Sequence, residues 1–308
     1  MRLKKITALF LTGALILSMA GCAGNGSKDK KEGSAGNEAQ EPVKIATKPM
    51  TEQFILGEML KKLIEEKAGY EVELTKGIGG GTSNIQPAME KGEFDLYPEY
   101  TSSGWILVLG HKAGEVSDDK MLAKLQEEYE EKFDMTWVGL YGQNNTYAVV
   151  VREDTAKKYN LETCSDLAAV SDQLVFGGNP DYIERADGLP GMYGFQFKEI
   201  KDIDIGLKYQ ALRNGDIDVT NGYTTDAQIS QDDVRALKDD KSYQVNYFCS
   251  TVVRKDALEK YPKLKETLEL MDGILTDQKM AELNYQVEEE GRDEAEVAEE
   301  FLKTSGLL

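Results

Sequence analysis

Four tyrosines are the residues whose type and surroundings suggest chemistry, and that chemistry is cation binding. Tyr100, Tyr147, Tyr223 and Tyr247 each lie in a polar, glycine-rich or strand-edge setting. Aromatic faces attract a cation through the ring quadrupole, and a quaternary ammonium group suits a box of rings because it cannot be hydrogen-bonded. If the four rings converge, they could form a cage for such a group. Any one of them could instead be structural, because the chain has 15 tyrosines.

Catalytic signals are weaker than the tyrosine signal. The only histidine, His111, lies in a loop-like Leu-Gly-His-Lys sequence, and the chain has no Gly-x-Ser-x-Gly or His-Glu-x-x-His motif. The glycines at 79–81 lack the Lys-Ser/Thr ending of a phosphate-binding loop, so they predict a tight strand-to-helix turn. We therefore expect a protein that is not an enzyme and that uses no cofactor.

Three cysteines limit the metal and redox chemistry. Cys22, Cys164 and Cys249 form no Cys-x-x-Cys pair, so neither a metal site nor a redox pair is indicated. A disulfide between Cys164 and Cys249 stays open at this point. Two buried free thiols are the interpretation that we favour.

The N-terminus, residues 1–21, has the pattern of a secretory signal peptide. Three basic residues precede a mostly apolar run at 6–17, which is too short to span a membrane. The sequence Met-Ala-Gly-Cys at 19–22 resembles a bacterial lipobox, with Met19 where leucine is usual. The resemblance implies that Cys22 becomes the lipidated first residue of the mature protein. The alternative is an ordinary cleaved signal with an incidental cysteine.

Composition separates a tether from a folded region. Residues 22–42 are rich in Gly, Ser, Asn, Lys and Glu after the cysteine, which predicts a flexible segment. The whole chain has 36 basic and 55 acidic residues, a net charge of −19, which argues against a nucleic-acid partner. We expect an extracytoplasmic monomer, lipid-anchored at the outer face of the bacterial cell membrane.

The elements that must position the tyrosines alternate between strands and helices. Strands are predicted at 43–46, 70–74 and 94–97, with helices at 51–67 and 85–91 between them. The alternation continues through residues 145–255, which indicates an α/β fold with largely parallel sheets.

An internal similarity predicts the domain organisation. Residues 149–159 and 251–261 share an apolar strand, an arginine, a capping aspartate and a helix that ends in Lys-Tyr. Chance similarity between two βα units is one explanation. The other is that these strands connect two lobes, one entering and one leaving. The first lobe would then contain residues 43–146 and 249–308, and residues 147–248 would form an inserted second lobe.

Six motifs follow one another in an order typical of a known family. They are Thr-Lys-Pro-Met-Thr-Glu-Gln at 47–53, Gly-Gly-Gly-Thr-Ser-Asn at 79–84, Asp-Leu-Tyr-Pro-Glu-Tyr-Thr at 95–101, Asn-Asn-Thr-Tyr-Ala at 144–148, Asp-Ile-Asp-Val at 216–219 and Tyr-Thr-Thr-Asp at 223–226. Over nearly all of residues 43–308 the chain resembles substrate-binding proteins of the glycine betaine/choline/carnitine class of ABC importers. The resemblance implies a two-lobed periplasmic-binding-protein fold (type II) with the ligand in the cleft between the lobes.

The resemblance also implies an aromatic cage. Its positions fall on Tyr100, Tyr147 and Tyr223 by motif, and on Tyr247 by a looser match, because two prolines usual before that tyrosine are missing here. Asn145 and Thr101 lie in the same motifs and are further expected ligand contacts.

The other end of the ligand is expected to be a carboxylate. Lys48 occupies a family position that points into the cleft, and Arg185 matches a position that meets the ligand carboxylate in betaine binders. Ser103 stands where other members carry threonine or an acid. Two cations and a hydroxyl favour a carboxylate, whereas choline would leave the cations poorly compensated.

The predicted function is capture of a quaternary ammonium compatible solute and its delivery to an ABC permease and its ATPase. Glycine betaine is the first expectation for the ligand. A choline, carnitine or ergothioneine binding protein of the same fold, and a binding lipoprotein coupled to a sensor, are the alternatives.

Overall fold

Two mixed β-sheets organise the chain. The computed structural model describes residues 41–178, 180–184, 188–204 and 206–308. The strands in these ranges are β1 (Val43–Ala46), β2 (Val72–Thr75), β3 (Leu96–Tyr100), β4 (Met135–Asn144), β5 (Tyr147–Arg152), β6 (Val175–Gly178), β7 (Glu199–Asp202), β8 (Val219–Tyr223), β9 (Val234–Leu237) and β10 (Phe248–Arg254). The first sheet has the order β2-β1-β3-β10-β4, and the second has the order β7-β6-β8-β5-β9.

Helices cover both sheets and confirm the predicted α/β class. They are α1 (Thr51–Leu63), α2 (Thr82–Glu90), α3 (Thr101–Ser103), α4 (Asp118–Phe133), α5 (Glu153–Tyr159), α6 (Cys164–Ala168), α7 (Pro180–Glu184), α8 (Lys208–Asn214), α9 (Lys255–Lys260), α10 (Leu264–Glu269), α11 (Asp277–Glu288) and α12 (Glu294–Thr304). Wider π-helical turns extend α1 over Ile64–Ala68 and α3 over Gly104–Val108.

Each sheet combines parallel and antiparallel neighbours. In the first sheet β1 pairs in parallel with β2 and β3, while β10 runs antiparallel to β3 and β4. In the second sheet β6 pairs in parallel with β7 and β8, while β5 runs antiparallel to β8 and β9. The prediction of largely parallel sheets is therefore only half right, because β5 and β10 each lie antiparallel to both of their neighbours.

Buried apolar residues fill the space between each sheet and its helices. On one face of the first sheet, Ile45 and Leu96 pack with apolar residues of α1, α10, α11 and α12. On its other face, Trp105 and Trp137 pack with apolar residues of α2 and α4, among them Tyr129 of α4. The two tryptophans are thus core residues, and neither lines the candidate site. Cys164 and Cys249 are free thiols, and both are buried.

The chain passes between the sheets twice, and the two passages lie side by side. The first is at Asn145 and Thr146, between β4 and β5, and the second is in the segment between β9 and β10. Asn145 N donates to Tyr247 O at 3.1 Å, and Thr146 Oγ1 donates to Val245 O at 2.6 Å. The crossing segments therefore hold each other, which fixes the residues at the junction of the two lobes.

The two internally similar segments begin with β5 and β10. β5 is the first strand of the second sheet along the chain, and β10 is the strand that returns to the first. They do not pair with each other, since β5 lies between β8 and β9 and β10 lies between β3 and β4.

Candidate ligand-binding cleft

A cavity of about 420 Å³ lies where the two sheets meet. Its wall combines the start of α1, the end of β3, both crossings, the ends of β5 and β8, and the last half of α11. This volume is within the usual range for small-molecule sites. Four of its lining residues are the tyrosines at 100, 147, 223 and 247.

Two of the tyrosines are brought together by strand register in the second sheet. Tyr147 begins β5 and Tyr223 ends β8, and the antiparallel register places the two residues opposite each other. Their ring centroids are 4.9 Å apart with an angle of 26° between the ring planes. Cross-strand neighbours on one face of a sheet are spaced for this kind of ring contact. The second lobe thus presents a pair of stacked rings to the cavity.

The other two tyrosines come from the first sheet and from the return crossing. Tyr100 ends β3 and is nearly buried, and its hydroxyl donates to Glu52 Oε1 at 2.6 Å. Tyr247 precedes β10, and its backbone N–H donates to Asn144 Oδ1 at 2.7 Å. That side-chain hydrogen bond fixes the backbone of Tyr247 without the two prolines that the family pattern usually has before it.

Lys48 lines the cavity, but its charge is already compensated. Lys48 Nζ forms a buried ion pair with Glu99 Oε1, and the ammonium lies 4.7 Å from the centroid of the Tyr100 ring. Glu99 is fully buried and also accepts from Thr82 Oγ1 at 2.7 Å and from Tyr100 N at 2.6 Å. The premise that Lys48 is an uncompensated cation is therefore wrong, because its ammonium group is already paired with Glu99. The buried carboxylate of Glu99 needs that partner as much as Lys48 does.

The remaining expected contacts divide three ways. Ser103 and Asn145 line the cavity, and Asn145 Nδ2 lies 3.4 Å from Glu52 Oε2. Thr101 is buried at the start of α3 and is not part of the cavity wall. Arg185 and Cys22 lie outside the described residues.

Three carboxylates in the cavity wall escaped the sequence analysis as site residues. They are Glu52 in the first turn of α1, Asp226 after β8 and Glu288 at the end of α11. Glu52 and Asp226 lie inside the motifs at 47–53 and 223–226, so an acid beside a candidate cage residue was a usable signal. Glu288 and Asn284 share one face of α11 by their spacing of four residues. Nothing in the sequence connected that helix to the cleft.

Burial and hydrogen bonding act in opposite directions on these acids. Burial raises the pKa of Glu52, and hydrogen bonds from Thr225, Tyr100, Asn145 and Asn284 counteract part of that rise. Burial also raises the pKa of Glu288, against a hydrogen bond from Thr51. The cavity therefore contains carboxylates in a partly dehydrated setting, where their interaction with a cation is stronger than in water.

A buried lysine lies behind the second-lobe rings. Lys208 Nζ is 5.9 Å from the centroid of Tyr223 and 3.6 Å from Asp226 Oδ2. Burial lowers the pKa of Lys208, and the carboxylate of Asp226 acts against that shift. Lys208 is not part of the cavity wall, but both of these neighbours, Tyr223 and Asp226, line the cavity.

Two α/β lobes with a cavity at their junction define a solute-binding protein of the periplasmic type. Residues 41–304 match the family described as the substrate binding domain of the ABC-type glycine betaine transport system, and the chain belongs to that family. Its members are substrate-binding components of ABC transporters, which act outside the cytoplasm and are not enzymes. Among the described residues, no helix is both long and apolar enough to cross a membrane.

Individual relatives differ in the substrates that their names give. An ergothioneine transport permease/ergothioneine binding protein of Helicobacter pylori is 41% identical over 87% of this chain, which spans about half, 48%, of that protein. A carnitine transport binding protein of Listeria monocytogenes is 36% identical, covering 99% of this chain and 98% of its own. The crystal structure of a glycine betaine/carnitine/choline ABC transporter has a TM-score of 0.81 at 35% identity, covering 86% of this chain and 99% of that one.

Proposed function

We propose that this chain captures a small trimethylammonium compound and delivers it to an ABC permease. Tyr100, Tyr147, Tyr223 and Tyr247 would enclose the ammonium head, each ring contributing about 0.5–2 kcal/mol as the site is desolvated. The observation that carries the proposal is the position of these rings on one cavity, two from the second sheet and two from the first sheet and its return crossing. Movement of the lobes toward each other would complete the enclosure.

Ergothioneine is the ligand that we rank first, ahead of glycine betaine. The case for glycine betaine relied on two free cations, and Glu99 compensates Lys48. The cavity wall instead offers the carboxylates of Asp226 and Glu288, which can accept hydrogen bonds from a ligand. The imidazole-thione ring of ergothioneine carries N–H donors that glycine betaine lacks. A relative 41% identical to this chain is named for ergothioneine.

Calorimetric titration with ergothioneine, carnitine, glycine betaine and choline tests both levels of the proposal. We expect ergothioneine to bind most tightly and Tyr147→Ala to weaken its binding well over tenfold, because the variant removes one ring of the stacked pair. Tyr159→Ala, which removes a tyrosine outside the cavity wall, is the matched control. Unchanged affinity in Tyr147→Ala would contradict the cage, and preferential binding of glycine betaine would contradict the ligand order.

Membrane attachment through Cys22 is a separate part of the proposal. Residues 1–21 would be removed as the signal peptide, and residues 22–42 would tether a monomeric binding domain to the outer face of the membrane. Mature protein should then fractionate with membranes and incorporate labelled fatty acid. Cys22→Ala should abolish the labelling, and persistence of the label in that variant would contradict the assignment.

The lobe boundaries are also proposed. Residues 43–146 with 249–308 would form the first lobe, and residues 147–248 would form the second. The strand membership of the two sheets supports this division, since β5 to β9 form the second sheet and the other strands form the first.

A further inference from the structure

Glu52 is a buried carboxylate of the cavity wall with several polar neighbours. Only 3% of its surface is exposed, and it lies in the first turn of α1. Its Oε1 accepts from the Tyr100 hydroxyl at 2.6 Å, and its Oε2 lies 3.4 Å from Asn145 Nδ2. The side chains of Thr225 and Asn284 are further polar neighbours that lower the pKa of Glu52 against the effect of burial. These partners are spread over four different segments of the chain.

The partners of Glu52 lie on both sides of the junction between the lobes. Tyr100 ends a strand of the first sheet, Asn145 is in the first crossing, and Thr225 follows β8 of the second sheet. From α11, Asn284 Nδ2 donates to the backbone oxygen of Thr225 at 2.8 Å, which ties that segment to α11 beside Glu52. A single carboxylate thus connects a ring of the site with the segment that follows Tyr223.

We propose that Glu52 is a positioning residue that assembles the binding site. Its carboxylate orients Tyr100 and fastens the segment at Thr225 to the first lobe, and its negative charge favours an ammonium group in the cavity. This inference rests on the proposed function. It adds a residue whose role is to align the rings and to join the lobes, rather than to contact the ligand as a ring does.

The ionised form of Glu52 is the one that can accept from all these donors at once. A carboxylate only accepts, whereas a protonated carboxyl group loses acceptor capacity and charge. The N-terminus of α1 also favours the anion through the helix dipole. Burial works in the opposite direction and raises the pKa of Glu52, which brings its protonation closer to neutral pH.

Other titratable groups surround this carboxylate and must be separated from it experimentally. They are Lys48, Glu99, Tyr100, Cys249, Asp226, Glu288 and the tyrosines at 147, 223 and 247. Glu288 matters most among them, because it also lines the cavity and burial also raises its pKa. Lys48 is engaged by Glu99 and so does not neutralise Glu52 directly.

The test compares Glu52→Gln with wild type in calorimetric titrations with ergothioneine and glycine betaine from pH 7.5 to pH 5. We expect the wild-type affinity to fall as Glu52 is protonated. Glu52→Gln should bind about tenfold more weakly or worse at pH 7.5, because it loses the charge and one acceptor oxygen, and should show a flatter pH profile. Glu58→Gln, on α1 but paired with Lys76 outside the cavity, is the matched control and should bind as wild type.

The outcomes separate the two proposals. If wild type binds none of the trimethylammonium compounds, the proposed function fails. If wild type binds and Glu52→Gln matches it in affinity and pH profile, the role of Glu52 fails. The role also fails if Glu288→Gln, and not Glu52→Gln, flattens the profile. If Glu52→Gln does not fold, Thr225→Val replaces it as the test, because it removes a polar neighbour of Glu52. The role of Glu52 then requires Thr225→Val to bind ergothioneine about threefold more weakly than wild type, or weaker still.

Discussion

The two lobes each combine a lysine, an acid and a tyrosine at the cleft, but in opposite order. In the first lobe Lys48 faces the cavity and its partner Glu99 lies fully buried behind it. In the second lobe Asp226 faces the cavity and Lys208 lies behind it. The tyrosines that accompany them, Tyr100 and Tyr223, line the cavity in both cases.

This inverted order places a different member of each ion pair at the cavity wall. A buried ion pair contributes little net charge, but the member nearer to the ligand dominates the local field. Lys48 is therefore the positive member at the wall and Asp226 the negative one. Under the proposed function, the ammonium group of a ligand would lie toward Asp226. Glu52 and Glu288 add negative charge, so the balance of the wall favours the cationic end.

The largest expected effect comes from breaking the buried pair of the first lobe. Glu99→Ala would leave Lys48 as a buried unpaired cation and would also remove the acceptor for Thr82 and Tyr100. We expect the free energy of unfolding to fall by about 3–5 kcal/mol. Chemical denaturation measures this loss. The double variant Lys48→Met/Glu99→Leu should recover most of the stability, and a double variant as unstable as Glu99→Ala would contradict the explanation.

Asp226→Asn tests the second lobe and should mainly affect ligand selection. The side chain of Asp226 is 22% exposed, so replacing it should cost less stability than the loss of Glu99. Binding of choline, which offers only a cationic head and a hydroxyl group, should weaken by about fivefold, corresponding to about 1 kcal/mol. Asp233→Asn, which breaks an exposed pair with Arg213, is the control. Equal choline affinity in the two variants would show that Asp226 does not act on the cationic head.

The α/β fold class and the four tyrosines of the cavity wall could be predicted from the sequence, because each depends on short local patterns. Strand–helix alternation follows from apolar periodicity, and Tyr100, Tyr147 and Tyr223 lie in short motifs. The partners of these residues could not be read in the same way. The pairs Lys48–Glu99 and Lys208–Asp226 each join residues of different elements, and only the packing of those elements brings them together. The sheet directions were misjudged because β5 and β10 look like parallel strands in a local pattern.

The smallest expected effect is that of Lys208→Met, and it appears in the pH dependence of stability. Burial lowers the pKa of Lys208 in the folded protein below its ordinary value of 10.5. Between the lowered pKa of the folded state and the ordinary pKa of the unfolded chain, the folded protein binds fewer protons at this site. The contribution of Lys208 to stability therefore increases as pH rises through that window.

Lys208→Met should remove this increase while changing the free energy of unfolding at pH 7 by only about 1 kcal/mol, since the variant loses both the cost of burying the ammonium and its attraction to Asp226. Thermal melts from pH 7 to pH 10 measure the difference between wild type and variant. Lys238→Met, which replaces an exposed lysine of the same lobe, should melt in parallel with wild type at every pH. A difference in melting temperature between wild type and Lys208→Met that stays constant with pH would contradict this prediction. It would mean that burial does not destabilise the charged form of the lysine behind Tyr223.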